Sequence, residues 1–417
     1  MNLLALSWSY IKTKPLNTLL NILLLALGIA IITVLLLASK QVERSLTQNS
    51  RGIDLVVGAK GSPLQIILSS IFHIDYPTGN ISLEEAQQLS RNRLIRNTIP
   101  MALGDSYQGY RIVGTNYEYL GLYEAETAVG SLWESPLEVA LGAAAAQQLN
   151  LSVGDSFASS HGLADDGINV HDEQQFTVSG ILAPTQTVVD NLILTSVESV
   201  WQVHDTHEAD SSETHHDEHD HAEVAITREG LPSGDADEEI TSLLVQFRSP
   251  MAAVQLPRYI NQRTNMQAAS PPFETARLFS LIGVGVDMLQ GFAYVIVVIA
   301  ALSIFIALYN SLKARRYDLA ILRSLGASPR TLFTHVILEG LIITLAGSLF
   351  GLLLGHLVLY GATQFYARPG QLGISSGQLA TEELWIVASS LVVGLVASLL
   401  PAIQAYRTNI SEVLAEG

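Results

Sequence analysis

The chain has no cysteine. Disulfides, thiolate zinc sites and cysteine nucleophiles are therefore excluded in any compartment. Charge is also scarce, at 15% of 417 residues, while 48% are hydrophobic. Soluble chains carry ~25% charged residues, so this composition points to a membrane protein. Basic residues are the scarcer sign: 22 Lys and Arg stand against 39 Asp and Glu, a net charge of −17. Without a cationic surplus to meet phosphates, nucleic-acid binding is excluded. A P-loop is missing too. Gly58-Ala-Lys-Gly61-Ser62 has its composition but lacks the G-x-x-x-x-G-K-[ST] spacing, and the run Ser376-Gly-Gln-Leu379 is no better. No G-x-S-x-G, H-E-x-x-H or paired-carboxylate arrangement stands out. The chain is not expected to be an enzyme by itself.

Long uncharged apolar runs are present instead. Residues 19–38, 289–309, 341–362 and 384–404 each supply the ~20 apolar residues that a helix needs to cross a lipid core. The first is too long for a signal-peptide core and no A-x-A site follows it, so it reads as a retained anchor. Lys and Arg near the membrane set the orientation. Lys12, Lys14, Lys313, Arg315, Arg316, Arg323, Arg330 and Arg407 all fall on one side if both termini are cytoplasmic. The expected organisation is then a cytoplasmic start with a first span (1–38), an outer domain (39–280), a second span (281–310) and a cytoplasmic segment (311–333). A third span (334–362), a short outer loop (363–383), a fourth span (384–405) and a cytoplasmic tail (406–417) complete it.

The outer stretch reads as a folded α+β domain. Strand signals at 53–57, 109–114, 176–182 and 242–247 alternate with helical ones at 82–94 and 136–149. The former opens on the capping-box pattern Ser82-Leu-Glu-Glu85. Residues 204–239 break this pattern with low hydrophobicity and dense charge, so an inserted loop is expected. His204, His207, His215, His216, His219 and His221 lie there, six of the chain's 11 histidines, among eight carboxylates from His204 to Glu223. Imidazoles and carboxylates suit Zn²⁺ and related divalent metals. The alternative is a solvated acidic loop that binds nothing physiological.

Within 311–333, Ile321, Leu322 and Leu325 form an apolar patch on a short helix. Arg315, Arg316 and Arg323 add charge, opposed by Asp318, and Gly326 suits the helix end. Such a helix can dock in a groove on a soluble partner, or its cations can simply fix topology. Gly347, Gly351 and Gly355 share one face of the third span, where small residues let helices approach closely. They form either a sliding seam in a dimer or bundle, or static packing within one subunit. His356 beside them is a proton relay or a histidine satisfied by a neighbouring helix. Glu339 and Asp287 lie near span ends, where charge reaches water cheaply.

The run from Asn310 to Ser328, with its basic pair, Asp318, Ala320-Ile-Leu-Arg323 and Leu325-Gly-Ala327, resembles the coupling segment of MacB/FtsX-like ABC transporter permeases. Glu339 matches that family's usual Glu. Leu400-Pro-Ala-Ile-Gln-Ala-Tyr-Arg407 with 410–414 resembles its C-terminal motif, and Val139-Ala-Leu-Gly142 with Gln148–Asp155 its extracytoplasmic domain. The resemblance implies a permease subunit in the bacterial inner membrane with a periplasmic domain, paired with a separate cytoplasmic ABC ATPase and acting as a dimer. ATP would act only through that partner, whose cycle would move the outer domain (mechanotransmission). A periplasmic or lipoprotein partner is a further expectation. The histidine-rich loop departs from the family pattern and adds a candidate zinc link. The alternatives are a membrane-anchored metal-binding or sensing protein, and a regulatory scaffold for a cell-wall enzyme or lipoprotein release.

Overall fold

The structure, a computed structural model, describes residues 15–161, 170–210, 225–234, 238–365 and 380–407. Helix α1 (Pro15–Asn49) is followed by β1 (Leu55–Ala59), α2 (Pro63–Ser70), β2 (Ile81–Ser82), α3 (Leu83–Ser90), β3 (Ile95–Tyr107), β4 (Tyr110–Thr115) and α4 (Tyr117–Leu122). Next come β5 (Thr127–Gly130), β6 (Glu138–Leu141), α5 (Ala143–Leu149), β7 (Ser156–His161), β8 (Val170–Leu182), a 3-10 turn (Val188–Asn191), β9 (Ile193–Ser196) and α6 (Val197–Asp210). The chain continues through β10 (Glu239–Ile240), β11 (Ser242–Phe247), α7 (Ala252–Arg263), β12 (Met266–Ala269), α8 (Pro271–Ala314), α9 (Arg316–Ser324), α10 (Pro329–Phe365) and α11 (Thr381–Tyr406). It divides into two units: an α/β unit from Val42 to Leu281, and a helical unit from the residues before and after it.

In the α/β unit the strands run in the order β12-β1-β11-β3-β4-β9-β6-β8-β5. Strand β7 pairs with both β3 and β8, which closes β3-β4-β9-β6-β8-β7 into a ring. Every strand of the ring feeds one cluster, with Tyr107, Ile112, Ile193, Val139, Leu141, Phe176, Val178 and Phe157 packed together. Pairing is mostly antiparallel, but β4–β9 and β6–β8 are parallel. Outside the ring, β1 has helices on both faces. Leu55 and Val57 pack with Leu83, Ala86 and Leu89 of α3 and Leu256 and Ile260 of α7. Val56, pointing the other way, packs with Ile66 and Ile67 of α2. That two-sided cover explains why β1 reads as a continuous apolar run and not an alternating one.

The four strand signals are all borne out as strands, and 242–247 matches β11. Two helical expectations change. Residues 136–149 split into β6 and α5, because Val139, Ala140 and Leu141 are taken up between β8 and β9. Ser82 precedes α3 but its side chain makes no cap bond, since β2 pairs it with Glu239 of β10. The expected insertion also begins later: residues 204–210 continue α6 as helix.

Among the described residues, four helices are long and apolar enough to cross a membrane: α1, α8, α10 and α11. Their outward faces carry large apolar side chains such as Leu19, Leu23, Leu27, Val298, Leu302, Leu353 and Val396. Their inward faces bury small and polar ones: Asn21, Thr33, Thr344, Ser348, Ser390 and Ser398. Lipid offers no hydrophobic drive for helix association, so close packing of small residues must hold the bundle. The glycine row does this against α1. A Cβ on Gly347 would fall 2.9 Å from Leu25 Cδ2, on Gly351 2.8 Å from Ile29 Cβ and from the Ala26 carbonyl oxygen, and on Gly355 3.0 Å from Thr33 Cβ. Both series ascend together, so α1 and α10 are parallel. Ser303 Oγ donates to Asn21 Oδ1 at 2.6 Å while Gly28 abuts Val297, so α8 is antiparallel to α1. Gly340 abuts Ser398 and Gly394 abuts Thr344, so α11 is antiparallel to α10. The start of α1 and the end of α11 thus lie at the same end of the bundle.

Candidate coupling site

At that end, the connection between α8 and α10 is built from local chain chemistry. Helix α8 stops at Ala314, and Arg315 leaves helical geometry at φ −116 and ψ 14. Helix α9 then runs to Ser324 and closes at Gly326, whose N–H bonds to the Arg323 carbonyl at 3.0 Å. Gly326 has φ +103, a backbone position that side-chain-bearing residues rarely adopt. Ser328 caps α10 by accepting the Thr331 N–H at 3.2 Å, and Pro329 fills the first helical position, which needs no donor.

Helix α9 has two faces. Ala320 is fully buried against the bundle. Tyr317, Ile321 and Leu325, spaced four apart, are 51%, 39% and 79% exposed. Ile321 and Leu325 thus lie on one open apolar stripe, and Tyr317, an aromatic outside the aliphatic patch read from the sequence, extends it by one turn. The four-residue spacing was the signal for it. Arg323 is half-buried beside the stripe, and Lys313 and Arg330 are exposed. The side chains of Arg316, Asp318 and Leu322 lie outside the described residues.

Arg315 behaves differently from the other cations. It turns into the bundle, where it lines a cavity with Ser311, Leu332, His335 and Glu339. A second cavity joins Arg315 and Glu339 to Asn17, Asn21 and Asn310. Glu339 is 8% exposed and His335 4%. The expectation that Glu339 reaches water cheaply is therefore corrected: it is buried one turn from His335 on α10, and Arg315 acts electrostatically on both. A buried carboxylate is tolerated when a cation faces it. His335, missed in the sequence, shares the i, i+4 face with Glu339.

At the opposite end of the bundle, His356 Nε2 lies 3.1 Å from Glu383 Oε1, so His356 is satisfied by a neighbouring helix. Lys40 pairs with Glu382 there. Of the histidine cluster, His204 sits in α6 with Nε2 3.8 Å from Asp105 Oδ1. Asp105 is buried and accepts a hydrogen bond from Ser159 Oγ at 2.8 Å. His204 thus faces the β-ring and not a loop. The side chain of His207, and His215, His216, His219 and His221 entirely, lie outside the described residues. Among the described residues no group of three or more His, Asp and Glu is arranged to hold a metal.

A family model for the MacB-like periplasmic core domain matches residues 18–270, and one for the FtsX-like permease C-terminal domain matches residues 291–410. The chain belongs to the MacB/FtsX-like permease family. This permease is an ABC transporter subunit of a type that lacks an ATPase domain, a multi-pass membrane protein with a periplasmic or extracellular domain. The crystal structure of the periplasmic region of MacB from Actinobacillus actinomycetemcomitans is similar at 12% identity and a TM-score of 0.33, covering 56% of the permease and 97% of that chain. The extracellular domain of the noncanonic ABC-type transporter YknZ from Gram-positive bacteria is similar at 11% identity and a TM-score of 0.29, covering 52% and 99%. No curated protein sequence matches the permease.

Proposed function

We propose that this permease couples a separate cytoplasmic ATPase to movement of its α/β unit, and so drives export or handling of a substrate outside the membrane. The observation that supports it most is the stripe Tyr317, Ile321 and Leu325. These apolar side chains are held open to solvent on a short helix flanked by Arg323, Lys313 and Arg330. An amphipathic helix of this kind fits an apolar groove with an acidic rim on a soluble partner. Both termini are cytoplasmic in this reading. The basic residues around α9 and the shared end of α1 and α11 support that orientation. The permease acts as a dimer, with a periplasmic or lipoprotein partner for the α/β unit.

Co-purification with the cognate ATPase tests the proposal. Exchanging both Ile321→Asp and Leu325→Asp is expected to abolish the complex while leaving membrane insertion intact. An ATPase that stays bound to this double variant would show that the docking surface lies elsewhere. The finer proposal, a link to zinc, is supported by the density of histidine and carboxylate between His204 and Glu223. Calorimetry on the full chain with and without residues 211–224 checks it. Equal zinc uptake by both forms, or none by either, removes the metal link and leaves the permease function standing.

A further inference from the structure

The α/β unit is strongly acidic, yet one end of its sheet is basic. Strand register defines that end. Helix α1 finishes at Asn49 and β1 opens at Leu55, opposite Val245 of β11. Strand β11 ends at Phe247, which pairs with Ile95, the first residue of β3. Strand β12 ends at Ala269, opposite Val56 two residues before Pro271 opens α8 up to the second span. The chain therefore enters the unit from α1 and leaves it into α8 at the same end of the sheet. The turns before β3 and after β11 lie there too.

Those turns carry cations. Arg51 lies between α1 and β1, Arg91 and Arg93 precede β3, and Arg248 follows β11. Arg96 is the extra residue of a bulge, since Gln246 pairs with Asn97 and Phe247 with Ile95. Main-chain carbonyls tie the turns together: the Arg248 N–H donates to Leu94 and Gln246 Nε2 donates to Gly52, each at 2.9 Å. All five arginines are exposed. Among the described residues, none of them has a carboxylate within 4.0 Å. Two carboxylates bonded to this end are occupied otherwise. Asp54 Oδ2 accepts the Phe247 N–H at 2.7 Å, and Glu118 accepts from Asn97 Nδ2 at 2.8 Å and from the Gly230 N–H at 3.0 Å. Residues 40–280 hold 32 acidic and 13 basic residues, so five of the 13 gathered without an acidic partner is a local reversal of sign. Clustered like charges repel, and an anion from outside the unit relieves them.

The position selects the anion. The apolar run of α1 stops at residue 38, and 11 residues, about 16 Å of helix, lead from there to Asn49. Lipid head groups fill about 5–8 Å of that length. The remainder is close to the ~8 Å screening length at physiological ionic strength, within which an anionic membrane surface attracts basic residues. Met251, 60% exposed in the turn after Arg248, adds an apolar tip of the kind that enters a head-group layer.

We propose that this end of the α/β unit docks on anionic lipid head groups, with Arg51, Arg91, Arg93, Arg96 and Arg248 facing the lipid phosphates. The attraction acts on whichever side of the membrane the unit lies, so it stands apart from the orientation and the ATPase coupling proposed above.

Full-length protein in lipid nanodiscs tests this. With no native cysteine, Ser249→Cys carries a single fluorophore beside Arg248. Gln262→Cys carries one at the opposite end of the sheet, where Lys60 donates to the Asn261 carbonyl. The discs are phosphatidylcholine with a nitroxide-labelled head group as quencher, and contain either about one-third phosphatidylglycerol or none. Phosphatidylglycerol is expected to increase quenching at position 249 and not at 262, and high salt to reverse the gain. Each cation near an anionic surface favours docking about fivefold, so Arg93→Gln combined with Arg248→Gln is expected to weaken it about 25-fold and remove the gain. Both side chains are exposed and unpaired, so the variant should keep its melting temperature. Equal quenching with and without phosphatidylglycerol overturns the proposal and leaves an acidic protein as the anion. A gain that survives the double substitution, or that the 262 label shares, overturns it as well.

Discussion

Burial decides what individual ionisable residues of this chain can do. His73 adopts φ 53, lies 6% exposed and is held neutral down to about pH 3 by loss of solvent. The unfolded chain protonates this histidine near pH 6.5, so between about 6.5 and 3 it binds a proton that the folded chain refuses. Stability therefore falls as pH drops through that window, by up to ~1.4 kcal/mol per pH unit. Asparagine tolerates left-handed geometry and does not titrate, so His73→Asn is the matching variant. Its melting temperature is expected to fall less steeply than that of the wild type between pH 6.5 and 4. Parallel pH profiles for the two proteins would contradict the burial of this ring. Neither His73 nor Arg111, buried beside it at 6% exposure, was legible as special in the sequence. His73 has no partner at a recognisable spacing, and Arg111 sits in a strand signal where one charged residue ordinarily marks a solvent face. Its burial comes from the turns at His73 and Asn191, far from it in the chain.

At the scale of elements, periodicity identified the faces and left their partners open. The glycine row on α10 was visible as three small residues at four-residue spacing, equally suited to a second subunit or to the same chain. The structure seats it on Leu25, Ile29 and Thr33 of α1. This makes it a packing seam within one subunit. Gly351 is the tightest point, because its neighbours include the Ala26 carbonyl oxygen, which cannot rotate away. Gly351→Leu is expected to cost about 1–3 kcal/mol through forced displacement of backbone. Gly361→Leu on the same helix, where a side chain meets nothing within 4 Å, should be near neutral. Thermal denaturation of both variants in detergent measures the contrast. Equal melting temperatures would mean that α1 does not pack there. For α9, amphipathicity was legible but the division of labour among its cations was not. Arg315 belongs to the bundle interior with His335 and Glu339, and Arg323 stays beside the exposed apolar stripe.

For the whole molecule, charge separation supports the proposed topology. Residues 40–280 hold 32 acidic against 13 basic residues, and the rest of the chain is slightly basic. Clustered Lys and Arg resist translocation, so the proposed orientation keeps the basic loop at α9 inside and carries the acidic α/β unit across. The absence of cysteine makes this directly testable, since any introduced thiol is unique. Glu229→Cys is expected to react with a membrane-impermeant maleimide in intact cells whose outer envelope is permeable to it. Ser328→Cys should react only after the inner membrane is opened. Labelling of Ser328→Cys in intact cells would invert the proposed orientation.

The sequence by itself determined the four spans, the α+β character of the outer unit and the place of the short amphipathic helix α9. These depend on run length, local periodicity and nearby charge, which a short window of chain contains. The tertiary structure decided which residues meet: the ring closed by β7, α1 as the partner of the glycine row, Arg315 beside Glu339, and Arg111 beside His73 and Asn191. Each of these joins positions far apart in the chain. Their pairing is set by packing and by the cost of leaving polar groups buried and unmatched, and no local pattern of residues encodes it.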